Sequence, residues 1–468
     1  MTTNATNALK IWRAGVDAVR ADALIADQVH VDEGELFLCD ESIDLHPFKR
    51  VTIVGAGKAA APMATSLHRM LSRYFPVQGW INVPAGTEGQ QPSDAPELHI
   101  HVARPAGANE PTEAAVFGTR QIVRMLSETC ANDLVLVVLT GGGSALLTLP
   151  AEGITLADKI TVTRHLSAHG ANIHELNTVR KQLSDVKGGR LLRNGHAGFV
   201  ATVILSDVLG DPLDVIASGP TVPNPTTAAD ALAILDRYDP DHLLPHSIYH
   251  TIRHRIDDEY QTPIPRESVT VVLGNNATAV DAAGVLAERL GFSHAMTAAI
   301  RCEGSAESVG RHLAEMAVSM ARDLDAGKNT PDCLISGGEP TVCLPPPHLC
   351  GKGGRNTHVV LAAMQRFVEM QTPPDILRRI VLLSAGTDGE DGPTDAAGAM
   401  MSENVWVHCN RLKLDISDHL HRCDSYTFFQ RTSGLVITGP TLTNVCDLRV
   451  ITIAHHIDSM IAHQKSNT

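Results

Sequence analysis

A turn near the start of the chain combines glycines with a lysine where an apolar strand ends. Four mostly β-branched residues run into Gly55 and Gly57, Lys58 follows, and a small-residue segment of helical character comes next. Glycine turns of this kind open many phosphate sites, because they leave backbone N–H groups near the ligand at a helix N-terminus. A lysine adds a full positive charge, so the turn predicts a site for phosphate or carboxylate. A solvated lysine on a structural turn is the alternative.

The same turn satisfies the relaxed dinucleotide pattern, with Ala60 in place of the third glycine. A nicotinamide site also uses an acidic residue about 20 positions further on, at the end of the next strand, to bind the ribose. The next predicted strand covers residues 79–84, and no carboxylate lies between Lys58 and Glu88. The missing acidic residue counts against a nicotinamide cofactor.

A second glycine turn follows another apolar run. Gly141, Gly142, Gly143 and Ser144 come after the strand DLVLVVL and before a predicted helix. Consecutive glycines allow positive φ, and successive N–H groups in such a turn can form an anion-binding nest. The turn lacks the GxxxxGK[ST] pattern, which excludes a P-loop NTPase at this position. We expect it to bind an anion; a tight turn without a ligand is the alternative.

This acidic chain has one strongly basic stretch, NTVRKQLSDVKGGR, over residues 177–190. On a helix, Arg180, Ser184 and Lys187 would share one face, since positions i, i+4 and i+7 coincide. Arginine binds carboxylate or phosphate bidentately, and lysine adds a point charge. The stretch therefore predicts a second part of an anion site; a solvated basic face is the alternative.

Two acidic turns also follow apolar strands. Asp207 comes after ATVIL, and Asp388 comes after IVLLSAG. Carboxylates at strand ends suit Mg²⁺, which takes one or two of them together with substrate oxygens, although Asp-Gly pairs also form turns without a ligand. Arg355 stands behind three glycines and before a predicted helix. Together, these residues indicate a phosphoryl-transfer or phosphate-binding enzyme.

The fold must bring these residues to one edge. The apolar runs lack alternation, which is typical of strands buried on both faces in a parallel sheet covered by helices. An α/β fold is predicted, because helical stretches fall between the strands. Two similar strand-to-glycine junctions predict two lobes, with a boundary within or near residues 238–265. The predicted helices cover residues 59–71, 111–127, 155–169, 277–290 and 307–323, after an amphipathic helix from about Ala8.

Composition narrows the class of protein. The 468 residues carry a net charge of −14, which disfavours nucleic acid and anionic membranes as partners. Nine scattered cysteines without a CxxC pair indicate reduced thiols in the cytosol. No apolar run reaches the about 18 residues that span a bilayer, and the N-terminus does not resemble a secretory signal. We expect a cytoplasmic protein; a homodimer is compatible with the sequence, which does not fix the oligomeric state.

Eight motifs occur in order along the chain: GAGKAAAPMA, LTGGGSALL, LNTVRKQLSDVKGGRL, ILSDVLGDPLDVIASGPTVP, GNNATAVDAA, GGRNTHVVLAA, SAGTDGEDGPTDAAGA and TGPTLTNVCDLRV. As a set they resemble the glycerate 2-kinase family (class II glycerate kinases), from about Ala8 to Ile453. The resemblance implies two α/β lobes with the active site in the cleft between them. It implies a Rossmann-like αβα N-terminal domain over residues 8–255 and a smaller α/β domain of the MOFRL type over residues 266–458.

The resemblance also implies phosphorylation of D-glycerate at its 2-hydroxyl group, with ATP and Mg²⁺. The family's active-site lysine falls on Lys58, the arginine of its GGRN motif on Arg355, and its acidic motifs on Asp207 and Asp388. We expect one of these aspartates to accept the hydroxyl proton and the other to hold Mg²⁺. The residues expected to bind the nucleotide are Gly55, Gly57, Gly141, Gly142, Gly143, Ser144, Lys187, Gly188, Gly189 and Asn275.

The chain departs from the family pattern at Arg104-Pro105, where relatives usually carry His-Pro. This departure puts the substrate contacts of that loop in question. Two rival functions remain open. One is a hydroxypyruvate reductase that uses NAD(P)H. The other is a non-catalytic sugar-phosphate-binding protein, which could dispense with Lys58, Arg355 and the carboxylates.

Overall fold

The chain folds into two compact units in a computed structural model that describes residues 3–89, 95–108, 110–257 and 267–455. Residues 21–273 form one unit, called the N-terminal unit below, and residues 1–20 and 274–468 form the other, the C-terminal unit. The first helix thus belongs with the C-terminal unit, whereas the predicted domain over residues 8–255 included most of it. The boundary was predicted within or near residues 238–265, of which residues 258–265 lie outside the described residues, and the units divide between residues 273 and 274. Residues 456–458 of the predicted C-terminal domain also lie outside the described residues.

The described residues include helices from three to twenty residues long. None of them is both long and apolar enough to cross a membrane. The helices are α1 (Thr3–Ala18), α2 (Ala21–Gln28), α3 (Ala60–Leu71), α4 (Glu113–Ser127), α5 (Gly143–Leu146), α6 (Leu156–Ala168), α7 (Ile173–Gln182), α8 (Ala228–Tyr238), α9 (His246–Asp257), α10 (Asn276–Arg289), α11 (Ala306–Asp325), α12 (Arg355–Glu369), α13 (Pro374–Arg379), α14 (Glu403–Leu412), α15 (Ile416–His421) and α16 (Ser425–Thr432), with 3₁₀ turns at Arg190–Asn194 and Ile216–Ser218.

The strands form one small sheet and two sheets of six strands. They are β1 (Val29–Asp32), β2 (Glu35–Leu38), β3 (Glu41–Asp44), β4 (Arg50–Ala56), β5 (Val77–Pro84), β6 (Leu98–Arg104), β7 (Asp133–Leu139), β8 (Phe199–Leu205), β9 (Ser268–Gly274), β10 (His294–Thr297), β11 (Cys333–Gly338), β12 (Ile380–Gly386), β13 (Gly398–Met401), β14 (Leu435–Val436) and β15 (Asp447–Ile453).

The sheet of the N-terminal unit has the order β6-β5-β4-β7-β8-β9, and the pairs from β6 to β8 are parallel. Every residue of β7 is buried, as expected for a strand covered by helices on both faces. The strand order reverses direction between β4 and β7, and ligands of open α/β sheets bind at such a point, beyond the carboxyl ends of the strands. The predicted α/β fold is confirmed.

The sheet of the C-terminal unit corrects the expectation of parallel strands throughout. Its order is β10-β11-β15-β12-β13-β14, and only the pair of β10 and β11 is parallel among the pairs described. Two buried clusters contain the residues of α1 with α10 and of α11 with α12, and both include strand residues. The strands are continuously apolar because both faces are covered, and this burial does not fix strand direction.

Most predicted helices are confirmed to within about two residues at each end. Two regions differ. Helix α1 begins at Thr3, before its predicted start near Ala8, and in the basic stretch α7 ends at Gln182 and the following residues form turns.

Close approach of β4 to β7 accounts for two glycines of the first turn. A Cβ atom on Gly55 would collide with the backbone of Val138, and one on Gly57 would collide with Thr140. Gly57 also has a positive φ of 143°, which L side chains rarely adopt. Both glycines are therefore required by the packing of the sheet, whatever the turn binds.

We expect Gly55→Ala to lower the free energy of unfolding by about 3 kcal/mol, the upper end of overpacking costs, because the clash is with backbone. Gly195→Ala in the same unit is the matched control, since the nearest atom to a Cβ there is 3.7 Å away. The control should change stability by less than about 0.5 kcal/mol. Urea unfolding followed by circular dichroism measures both. Equal stability of the two variants would show that β4 and β7 separate without cost.

Candidate active site

Two glycine turns at the carboxyl ends of adjacent strands form one surface. β4 leads into Gly57 and Lys58, and β7 leads into Thr140. The N–H group of Lys58 donates to the Gly141 carbonyl at 2.9 Å, and that of Ala59 donates to Thr140 Oγ1 at 3.0 Å. The fold therefore brings together the two glycine turns that the sequence singled out.

The two turns differ in what they offer a ligand. At the first, the N–H group of Gly57 donates to the Asn82 carbonyl at 3.1 Å, so the N–H groups of Gly57, Lys58 and Ala59 are all used within the protein. A ligand there would meet the Lys58 side chain rather than a row of N–H groups. At the second, the N–H groups of Gly142 and Ser144 have no protein acceptor among the described residues.

Arg104 adds a cation beside the second turn. It is the last residue of β6, and it is 5% exposed. Its guanidinium donates to the Ala108 carbonyl, and a Cβ atom on Gly142 would lie 2.9 Å from Arg104 Nη2. Arg104, which stands where relatives usually carry histidine, therefore faces the turn and increases the positive charge there.

Lys187 is tied to the same turn from another segment. Its side chain is buried, and Nζ donates to the Ser144 carbonyl at 2.8 Å and to the Ala217 carbonyl at 3.3 Å. Burial, together with the charges of Lys159 and Arg180, lowers the pKa of Lys187 well below its ordinary value. An anion bound nearby would favour the protonated form of Lys187, which would then be a local source of positive potential.

A left-handed loop fixes the turn that follows Lys187. Ala217, Ser218 and Gly219 have φ values of 49°, 64° and 60°. Gly188 N–H donates to the Ser218 carbonyl at 3.0 Å, and Gly189 N–H donates to the Gly219 carbonyl at 2.7 Å. Non-glycine residues in this region cost about 1–3 kcal/mol each and cluster at functional sites. Since both glycine N–H groups are used, a phosphate at this turn would be bound by side chains.

The basic stretch reaches the site by a different geometry from the helical face that the sequence predicted. Because α7 ends at Gln182, Ser184 does not continue that face, and its Oγ donates to the Leu149 carbonyl at 3.1 Å. Arg180 and Lys187 nevertheless line one pocket. The turn after α7, rather than a helical face, brings the two cations to the same pocket.

Asp207 follows β8 at the same sheet edge as the glycine turns. It is half-buried, in a turn where Ser206 Oγ donates to the Val208 carbonyl at 3.2 Å. The carboxylate thus belongs to the N-terminal unit, together with Lys58 and Lys187.

Arg355, in the C-terminal unit, is held by two carboxylates. Its Nε and Nη2 donate to Asp447 at 2.8 and 3.0 Å, and its Nη1 donates to Glu339 at 2.8 Å. Burial alone would lower the pKa of Arg355, but Asp447 and Glu339 raise it above its ordinary value. Asp447 has no exposed surface and also accepts a hydrogen bond from Asn356 Nδ2. Arg355 is thus the main counter-charge of a buried carboxylate.

Asp388 and Asp391 occupy the acidic turn after β12 in different ways. Asp388 is half-buried, and its Oδ1 accepts from the Glu390 N–H at 3.0 Å. Asp391 is buried at the N-terminus of α12, where it accepts from the N–H groups of Asn356 and Thr357 at 2.8 Å. Burial raises the pKa of Asp391 to about 6, although these hydrogen bonds oppose the shift. Asp391 is therefore a helix cap, and Asp388 is the more accessible carboxylate.

Asn275 is the N-cap residue of α10 in the C-terminal unit. Its Oδ1 accepts from the Thr278 N–H at 3.2 Å, while its own N–H donates to Thr278 Oγ1 at 3.3 Å. This reciprocal pattern is a capping box, so the residue has a structural role besides the predicted nucleotide contact.

No group of three or more His, Cys, Asp or Glu side chains within the described parts of the chain could hold a metal ion. None of the nine cysteines forms a disulfide bond. Mg²⁺ needs no such group, since it commonly takes one or two carboxylates with water and phosphate oxygens. Asp207 and Asp388 fit that limited donor set.

Sequence reasoning missed Lys159 and Asp447. Lys159 lines the pocket with Arg180 and Lys187 but lies inside a helix with no glycine turn beside it, so nothing marked it. A usable signal existed for Asp447, because a carboxylate directly preceding the apolar run LRVITI must be paired if it is buried.

Comparison with known proteins identifies relatives over nearly the whole chain. Residues 332–447 match the MOFRL family, and residues 7–253 match a domain family of unknown function, DUF4147. The D-glycerate 2-kinase of Thermotoga maritima is 36% identical over 85% of this chain and 89% of its own. A provisionally named hydroxypyruvate reductase of Agrobacterium vitis is 37% identical over 86% of this chain and 99% of its own.

The fold has a solved counterpart. A crystal structure of glycerate kinase from Thermotoga maritima matches with a TM-score of 0.76 and 32% identity. The match covers 96% of this chain and 99% of that one.

We expect Arg355→Ala to lower the free energy of unfolding by about 3–5 kcal/mol, because it leaves Asp447 charged and buried without its cation. The double variant Arg355→Ala/Asp447→Asn should recover a large part of that loss. Lys328→Ala is the control, since its pair with Asp323 lies at the surface and should contribute less than about 1 kcal/mol. Urea unfolding measures all three. An Arg355→Ala variant as stable as the control would contradict this role.

Proposed function

Since the chain belongs to the glycerate 2-kinase family, with a C-terminal MOFRL domain, we propose that it transfers a phosphoryl group from ATP to the 2-hydroxyl group of D-glycerate. The products would be 2-phosphoglycerate and ADP. The glycerate kinase structure and the D-glycerate 2-kinase of Thermotoga maritima support the acceptor, and the name of the 2-kinase also supports the position of transfer.

The observation that carries this proposal is the concentration of cations at one edge of the parallel sheet. Lys58 and Arg104 adjoin the glycine turn at residues 141–144, and Lys187 bonds to the Ser144 carbonyl. The whole chain has a net charge of −14, so this edge is an exception to its general field. Anionic reactants such as glycerate and ATP need such a local positive potential.

Phosphoryl transfer requires positioning and charge stabilisation more than covalent chemistry by the protein. Lys58 would neutralise charge that develops on the transferred phosphoryl group. The N–H groups of Gly142 and Ser144 would donate to phosphate oxygens. Asp207 or Asp388 would accept the proton of the 2-hydroxyl group, and the other aspartate would hold Mg²⁺.

Mg²⁺ would supply charge neutralisation on the phosphates of the nucleotide. The half-buried carboxylates of Asp207 and Asp388 suit it, because each retains solvent access for a metal with several water ligands.

Arg355 has a different role from that expected of a free anion-binding arginine. Its two carboxylate partners leave it to position Asp447 and Glu339 beside α12.

The reductase is the less favoured function. A dinucleotide would need N–H groups at the first glycine turn, and those of Gly57, Lys58 and Ala59 are used within the protein. The acidic ribose partner is also missing from the end of β5. A cytoplasmic location and a homodimer remain part of the proposal.

The test is an enolase-linked assay with D-glycerate, ATP and Mg²⁺, and without phosphoglycerate mutase. We expect phosphoenolpyruvate to form, because enolase acts directly on 2-phosphoglycerate. A parallel reaction with hydroxypyruvate and NADH or NADPH should show no nicotinamide oxidation. Nicotinamide oxidation without a phosphorylated product would contradict the proposal.

In the same assay, Lys58→Ala should lower the rate about a hundredfold or more, which corresponds to about 3–4 kcal/mol of transition-state stabilisation. Lys49→Ala provides the matched control, since Lys49 is an exposed lysine of the same unit. It should retain the full rate. A loss below about threefold in Lys58→Ala would remove Lys58 from the mechanism.

A further inference from the structure

Some buried or half-buried cations of the N-terminal unit are paired with carboxylates. Lys181 Nζ lies 3.0 Å from Asp214, and Arg255 lies 2.8 Å from Asp185. A second group, Lys159, Arg180 and Lys187, has no carboxylate within 4 Å among the described residues, yet all three line one pocket. That pocket is called the cationic pocket below.

The lysines of the cationic pocket are buried and incompletely bonded. Lys159 is 6% exposed, and the one acceptor described for it is the Leu183 carbonyl at 3.2 Å. Lys187 is 2% exposed and bonds to two carbonyls. Each ammonium group has three donors, so donors remain on both for a ligand. Burying such charges without an anion costs several kcal/mol per ion.

Arg180 completes the pocket with a planar fork. Its Nε donates to Thr163 Oγ1 at 3.3 Å, and no acceptor is described for its two terminal nitrogens. A guanidinium group with both terminal nitrogens available matches the two oxygens of a carboxylate or phosphate.

The one acidic residue in the lining does not compensate these cations. Glu110 makes two hydrogen bonds of 2.6 Å with Arg164, which hold the pKa of the Glu110 carboxyl below its ordinary value. The nearby Asp185 is paired with Arg255. Burial, with the charge of Arg180, lowers the pKa of Lys159 to about 7, which is consistent with a pocket short of negative charge.

We propose that the cationic pocket is a binding site for an oxyanion of a small ligand, held by Lys159, Arg180 and Lys187. The two sources considered for the oxyanion, the carboxylate of the hydroxy-acid acceptor and a phosphate of the nucleotide, rest on the proposed function. The pocket itself rests on the uncompensated cations. Ser144 also lines it, so the pocket borders the glycine turn assigned to phosphate.

If the pocket binds an anion, removing one of its lysines should raise the stability of the ligand-free protein and weaken anion binding. Removing a purely structural lysine would not raise stability. Lys159→Met keeps the volume of the side chain and removes its buried charge. The ligand-free variant should therefore melt about 2–4 °C higher than the parent protein. At the same time, the affinity for at least one of D-glycerate, ADP and inorganic phosphate should fall about tenfold or more, as expected when a charged hydrogen bond is lost.

The experiment measures melting temperatures of the full chain with D-glycerate, with ADP and with inorganic phosphate. Arg180→Gln is the second variant, and Arg124→Gln, at an exposed pair with Glu128, is the control. Loss of only the D-glycerate response in both pocket variants supports the pocket as the carboxylate site. Loss of only the ADP and phosphate responses supports it as a phosphate site, and loss of all three supports one shared anion site.

Two results would overturn the pocket. One is an unchanged response of both pocket variants to all three ligands. The other is a lower melting temperature of Lys159→Met with undiminished binding. Because these measurements need no turnover, the two proposals fail separately. If the parent protein binds the ligands but has no kinase activity, and the variants lose the ligand responses, the proposed function is wrong and the pocket stands. If both variants turn over normally with an unchanged KM, the pocket is wrong and the proposed function stands.

Discussion

Positive charge held out of water without enough carboxylates to balance it is the constraint on which the N-terminal unit depends. Lys187 can remain there only because the Ser144 and Ala217 carbonyls accept its hydrogen bonds. Those carbonyls are presented by the second glycine turn and by a left-handed loop, and the loop costs the chain strain at Ala217 and Ser218. Strain and buried charge in one place are expected where a ligand supplies the missing compensation.

The C-terminal unit solves the same electrostatic problem internally. Arg355 and Arg449 are each met by buried or half-buried carboxylates, Asp447 and Glu303 among them. These two arginines are therefore neutralised within the unit, and Arg355, the arginine of the GGRN motif, is held by its carboxylate partners in the absence of a ligand.

Much of the architecture could be predicted from the sequence, because continuous burial produces continuous apolar runs and glycine turns mark their carboxyl ends. Direction could not, since the strands of the C-terminal sheet are equally apolar while mostly antiparallel. The sequence also did not indicate that the Gly57 N–H group is used within the protein, where it donates to the Asn82 carbonyl. Lys159 was missed altogether, because a lysine in a helix gives no sign that its charge will be buried.

Transfer of a phosphoryl group to the 2-hydroxyl group of glycerate fixes the covalent position of phosphorus in the product, and that position can be measured. A proton–phosphorus correlation spectrum of the product from D-glycerate, ATP and Mg²⁺ locates that position without a coupling enzyme. Transfer to the 2-hydroxyl group predicts coupling of the new phosphorus signal to the single proton on C2. Coupling to the pair of protons on C3, or the absence of any new phosphate ester, would contradict it.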